Sequence, residues 1–180
     1  MHESHAITIL ARRFPAKRAF ITGAGSGLGR AFATELAASG WQLGLLDVSA
    51  GRLAEVEAEF GSAGTRVSCY AGDVASESFV AGSVADFASR AGGLDLMINT
   101  AGVAAAGPIE STPAADWRWI VDINLLGVVW GCQSAAARMR HDGSGVILNI
   151  ASSAGFASAP QMSAYNATKA GELHMARGWA

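Results

Sequence analysis

The chain has 180 residues, 51% hydrophobic and 16% charged, with thirteen basic against fifteen acidic side chains and a formal charge of -2. That balance suits one domain able to bury a real core and argues against disorder. Without a long run of either charge sign it carries no electrostatic footprint for nucleic acid or an anionic membrane, so neither is expected as a partner.

Residues 1 to 16, "MHESHAITILARRFPA", lack the order of a secretory signal, because the basic residues follow a short apolar patch. They are expected to be a poorly ordered N-terminal extension, with residues 17–180 forming one dinucleotide-binding domain. His2 and His5 stand without a third ligand at metal spacing, and no metal site is expected. No stretch reaches the ~18 uninterrupted apolar residues of a membrane span.

"KRAFITG", 17 to 23, reads as a short strand ending in glycine, and "GLGRAFATELAASG" follows with Leu28, Phe32, Leu36 and Ala37 at helical spacing. "WQLGLLD" is a second strand. "SAGRLAEVEAEFGSAG" is a helix capped by Ser49, with Gly61 placed beyond its end. "TRVSCYAGDV" gives a third strand, "SESFVAGSVADFASRAGG" a third helix, and "LDLMINTAG" a fourth strand. "TPAADWRWIVDINLLGVVWGCQSAAARMRHDG" predicts one long helix, with Pro113 in its first turn and Gly143 past its end. "SGVILNIASS" is the fifth strand, and a last helix opens near Ser163 and runs to the end. Five apolar strands separated by helices predict an α/β class, a Rossmann-type doubly wound parallel sheet with helices on both faces. Cys69 and Cys132 lie far apart in apolar segments and are expected as buried free thiols in a reducing, cytoplasmic setting.

The loop "TGAGSGLG" puts Gly23, Gly25, Gly27 and Gly29 between the first strand and first helix. Backbone amides and a helix N-terminus there favour a diphosphate, which side chains would keep away. Asp47 ends the second strand, where an acidic group accepts from the adenosine ribose and repels the extra phosphate of NADP. NAD is therefore the expected cofactor, with NADP second. Neither Ser26 nor Val48 is basic, so no clamp for a 2'-phosphate is evident nearby.

Thr22-Gly23-x-x-x-Gly27-x-Gly29, Asp73-Val74, Asn99-Thr100-Ala101-Gly102, Asn124, Ser152 and Tyr165-x-x-x-Lys169 occur in this order. Together they resemble the short-chain dehydrogenase/reductase family, over residues 17 to about 180. The resemblance implies an NAD(P)-dependent oxidoreductase acting on a small alcohol or ketone. It assigns Thr22, Gly23, Gly25, Ser26, Gly27, Leu28, Gly29, Asp47, Asp73, Val74, Asn99, Ala101 and Gly102 to the cofactor, together with Tyr165 and Lys169. Asn124, Ser152, Tyr165 and Lys169 become the catalytic set. A free phenol is a poor base at neutral pH, and an ammonium four residues along the same helix face stabilises its phenolate. Ser152 is placed to hydrogen-bond the substrate oxygen, and Asn124 is assigned a water in a relay to Lys169.

The family pattern also implies elements past residue 180: a sixth strand, a substrate-covering segment and a seventh edge strand. The sheet is accordingly expected to lack its last strands, leaving the fifth as an apolar edge prone to association. Homo-oligomers through the long helix and the last helix are expected. Two further readings stay open: a non-catalytic NAD-binding or subunit-association module, and an epimerase or dehydratase of the wider family, against which the glycine spacing speaks.

Overall fold

The computed structural model describes residues 5–178, so His2 and Trp179 lie outside the described residues. In chain order the elements are α1 (His5–Arg13), β1 (Arg18–Thr22), α2 (Gly27–Ala38), β2 (Gln42–Asp47), α3 (Ala50–Ser62), β3 (Val67–Ala71) and α4 (Glu77–Ala91). They continue with β4 (Leu96–Asn99), α5 (Ala114–Val121), a π-helical turn (Asp122–Leu126), α6 (Gly127–Asp142), β5 (Val146–Asn149), a 3-10 turn (Ser153–Gly155) and α7 (Ser163–Gly178). The strands form one parallel sheet in the order β3-β2-β1-β4-β5. Strand order reverses between β1 and β4, which opens a crevice beyond their carboxyl ends.

Alternation along β1 explains the two cores. Ala19 and Ile21 join Leu43, Leu45 and Ile98 on one face, under Leu36, Leu53, Val56 and Phe60. Phe20 faces the other way with Leu46 and Met97, against Val80, Val84 and Phe87 of α4 and Ala135 and Met139 of α6. Each fully buried large side chain contributes roughly 1.5–3 kcal/mol of transfer free energy. The expected doubly wound architecture is therefore present in five strands.

Three local features differ from the expectation. The N-terminal lead-in carries α1, and Phe14 behind it is 2% exposed in the core beside Trp41. Leu10 packs against that core, while Ile9 stays 53% exposed. The long helix is interrupted by the π turn at Asp122–Leu126, where Gly127 N donates to Asp122 O five residues back. α3 runs one residue past Gly61, to Ser62.

The caps follow the sequence more closely. Ser49 Oγ accepts from Arg52 N at the start of α3, and Gly143 ends α6 with φ 80°. At the opposite end of the sheet from the crevice, Arg18 Nη2 lies 2.7 Å from Asp95 Oδ1, while Arg18 N and Nε each donate to Asp95 Oδ2 at 2.9 Å. Arg18 also donates to Gly92 O. This pin joins β1 to the turn before β4.

The helical run Ala114–Asp142 is long and apolar enough to cross a membrane by length and composition alone. Its Ile120, Val128, Cys132, Ala135 and Met139 are buried within the fold. Among the described residues β5 pairs only with β4, and Leu148 is 39% exposed.

Candidate active site and dinucleotide crevice

The first strand-helix junction is built to bring backbone, not side chains, to its surface. A Cβ on Gly29 would stand 2.2 Å from Gly23 O and 2.6 Å from Thr100 Oγ1, so only glycine lets the start of α2 approach the loop. Thr22, 2% exposed, accepts from Thr100 N and Ala101 N at 3.2 and 3.3 Å. Thr100 Oγ1 returns a hydrogen bond to Thr22 O and so ties the ends of β1 and β4 together.

A cavity of about 440 Å³ opens in front of this junction. Its wall includes Gly23, Ser26, Gly27, Leu28 and Gly29 from the loop, Asp47 and Val48 after β2, and Asp73, Val74, Ala101 and Gly102 after β3 and β4. That volume is in the range of small-molecule sites, roughly 300–1,000 Å³. Leu28, read as part of the apolar helical face, is instead 60% exposed at this wall. Gly25, Thr22 and Asn99 stand behind the surface. The glycine cradle, the amides of a helix N-terminus and an acidic group at the end of β2 fit a dinucleotide.

Asp47 is 5% exposed and multiply held. Its Oδ2 accepts from Gly25 N at 2.9 Å, and its Oδ1 accepts from Ser49 N at 2.9 Å and Arg52 Nη2 at 3.2 Å. Arg52 corrects the expectation that no cation lies close: the first turn of α3 folds it back over Asp47, and it lines the same cavity. The signal was an arginine one turn into a helix that starts beside the acidic residue. Asp73 is exposed and caps its own turn, accepting from Ala75 N at 2.9 Å.

The other expected residues gather around α7. Ser152 caps the 3-10 turn after β5, accepting from Ala154 N at 3.1 Å, and is half-buried. Asn124, wholly buried in the π turn, clamps the strand that leaves β4: its Oδ1 accepts from Val103 N and its Nδ2 donates to Val103 O, both at 2.8 Å. Asn124 Nδ2 also approaches Thr168 Oγ1 at 3.5 Å, and Thr168 Oγ1 donates to Tyr165 O at 2.8 Å. Asn99, 2% exposed, donates to Asn149 Oδ1 at 2.8 Å and ties β4 to β5 beneath the site.

Lys169 is 6% exposed. Its Nζ donates to Ile150 O at 2.8 Å and to Glu172 Oε2 at 2.7 Å. Tyr165 is half-buried, and among the described residues its hydroxyl has no hydrogen-bond partner. Glu172, which sequence reasoning missed, is 1% exposed; burial pushes its carboxyl above the ordinary range and the Lys169 ammonium opposes that without cancelling it. Its spacing from Lys169 was legible, its burial was not. Tyr165, Lys169 and Ser152 do not line the 440 Å³ cavity, which serves the glycine-loop half of the crevice. Among the described residues no group of three or more His, Cys, Asp or Glu side chains is placed to hold a metal.

Comparison with known proteins places this geometry. The model of the short chain dehydrogenase family matches residues 17–180. Levodione reductase of Leifsonia aquatica is 38% identical over 168 residues, covering 92% of this chain and 63% of that protein. D-threitol dehydrogenase of Mycolicibacterium smegmatis is 33% identical over 165 residues, covering 92% of this chain and 64% of its own length. The chain thus spans a little under two thirds of these relatives. The crystal structure of a short chain dehydrogenase/reductase from Burkholderia phymatum in complex with NAD superposes with a TM-score of 0.87 at 36% identity, covering 91% of this chain and 58% of that one.

Proposed function

The chain belongs to the short chain dehydrogenase family, and from that premise we propose that it serves hydride transfer between NAD and a secondary alcohol or ketone, with Tyr165 as general acid and base. The observation that carries this reading is the buried Lys169 ammonium, fixed on the same helix face as the unpartnered Tyr165 hydroxyl. A positive charge on that face stabilises the negative charge that develops on the phenol oxygen as its proton moves.

When bound, NAD accepts or donates the hydride; the remaining work belongs to the chain. The glycine loop offers backbone amides to the diphosphate, and Asp47 offers a carboxylate to the adenosine ribose. In alcohol oxidation Tyr165 Oη takes the hydroxyl proton, and in ketone reduction it gives one back. Ser152 Oγ donates to the substrate oxygen as negative charge develops. Asn124 fixes Val103 and thereby the wall between the cofactor crevice and α7.

NAD is preferred to NADP because Asp47 would face the 2'-phosphate, a reading supported by the NAD complex of the Burkholderia phymatum relative. Levodione reductase and D-threitol dehydrogenase support a small alcohol or ketone substrate. We place the chain in the cytoplasm, consistent with its free Cys69 and Cys132. Homo-oligomers through α6 and α7 complete the reading; α6 leaves Gln133, Ala137 and Arg140 exposed along one face. Calorimetric titration tests the first step: saturable NAD binding is expected, and no binding would sink the proposal.

A further inference from the structure

The second carboxylate oxygen of Glu172 is the observation that the proposed chemistry leaves unused. Glu172 Oε2 grips Lys169, while Oε1 is buried with no hydrogen-bond partner. A buried carboxylate with an orphaned oxygen is costly, the more so when it is charged. The same volume could be filled by an apolar side chain at no such cost.

The surroundings limit what Glu172 can do. From α7 it meets Lys169, with Tyr165 one turn earlier on the helix. From α6 comes the Cys132 thiol, pushed up by burial first, drawn down by its hydrogen bond with Asn149 and raised to a lesser degree by Glu172. From the end of β5 comes the Ile150 carbonyl, and from the π turn Asn124 through Thr168. Among the described residues no other charged side chain forms an ion pair with Lys169 or Glu172. Oε1 is buried and Oε2 is taken by Lys169, so the carboxylate acts through that contact.

We propose that Glu172 is a positioning residue that fixes the Lys169 ammonium against Ile150 O and offsets part of its charge, and so tunes the field that Lys169 presents to the Tyr165 phenol. The inference rests on the Tyr165–Lys169 pairing proposed above. Two charges of opposite sign within a few ångströms act on a third group as a dipole, so removing one alters the field at the phenol. Glu172→Gln keeps the volume and leaves an oxygen that can accept from Lys169 Nζ. It removes only the charge.

The chain contains two tyrosines, which makes the test direct and independent of turnover. Tyr70 is pushed up to about 12, by burial first and then by its hydrogen bond to Asp86, so its signal must be removed to read the other phenol. Ultraviolet titration of phenolate in the cofactor-free chain, repeated in a Tyr70→Phe background, follows it alone. Glu172→Gln is expected to lower the Tyr165 midpoint by at least about half a pH unit. Glu172→Asp, which keeps the charge but disturbs packing, is expected to leave it near the starting value, and near-ultraviolet circular dichroism checks the fold of each variant. Lys169→Met is expected to raise it. A midpoint that moves with Lys169→Met but is unchanged or raised in Glu172→Gln overturns the role of Glu172 alone. A midpoint indifferent to Lys169→Met overturns the pairing beneath it as well.

Discussion

Asp47 Oδ2 accepts a hydrogen bond from the Gly25 amide at 2.9 Å, so the acidic residue at the end of β2 also holds the glycine loop in place. The two motifs of the dinucleotide crevice are one physical unit. A Cβ on Gly25 would meet Asp47 Cγ at 2.9 Å, which shows how tightly they are joined.

Replacing Asp47 with alanine is therefore expected to weaken NAD binding roughly 10- to 100-fold, the value of a hydrogen bond to a charged group. It also frees Arg52, now 3.2 Å from Asp47 Oδ1, to meet a 2'-phosphate. NADP affinity should rise relative to NAD by about tenfold or more, and the double variant Asp47→Ala/Arg52→Ala should lose that gain. Calorimetry with both dinucleotides checks the pair.

Arg18→Ala strands Asp95, which is 4% exposed and receives three hydrogen bonds from Arg18. The backbone bond survives and the two from the side chain go. Breaking such a pair costs roughly 3–5 kcal/mol. Urea unfolding followed by far-ultraviolet circular dichroism should show a large fall in midpoint with little change in slope.

Cys69 is pushed up to about 11, by burial first and then by Glu57. A thiol so shifted is almost wholly protonated near neutrality, and the thiolate is the reactive form. Both cysteines should react with a thiol-specific disulfide reagent only slowly in the folded chain and rapidly in denaturant. Fast labelling of Cys69 in the native protein would contradict its placement under Leu53, whose carbonyl lies 3.9 Å from Sγ.

Glu172 gives a pH dependence whose sign is fixed by burial. Its carboxyl is raised in the fold, so the folded state binds the proton more tightly than the unfolded one. That contribution is fully present below the ordinary glutamate range and is lost as pH rises through the raised value. Relative to wild type, Glu172→Gln should gain stability between about pH 5 and about pH 8. Urea midpoints for both chains at the two pH values report the difference.

These residues also show what the sequence could carry. Period and punctuation were enough for β1 to β5, for the Ser49 cap and for the glycine-loop junction, because those depend on neighbours along the chain. The family order of Asn124, Ser152, Tyr165 and Lys169 was visible for the same reason. What stayed hidden needed three dimensions. Arg52 lies over Asp47 only because α3 turns immediately after β2, and Phe14 becomes core only once β1 and β2 place Trp41 beside it. The π turn around Asn124 was masked because "INLLGVVW" is apolar at nearly every position, so a change of helical phase leaves little mark on the pattern. Glu172 carried no sign of burial in the sequence; it becomes buried as α7 packs on the π turn, α5 and the 3-10 turn after β5.

The central claim is that Tyr165, beside Lys169, moves the proton of a secondary alcohol whose hydride goes to NAD. Steady-state formation of NADH by the 180-residue chain with 2-butanol or cyclohexanol, compared between wild type and Tyr165→Phe, measures it most directly. The account predicts turnover in the wild type and a loss of about 100-fold or more in the variant, with NAD affinity retained. Turnover unchanged in Tyr165→Phe, or NAD binding with no turnover in the wild type, would contradict it.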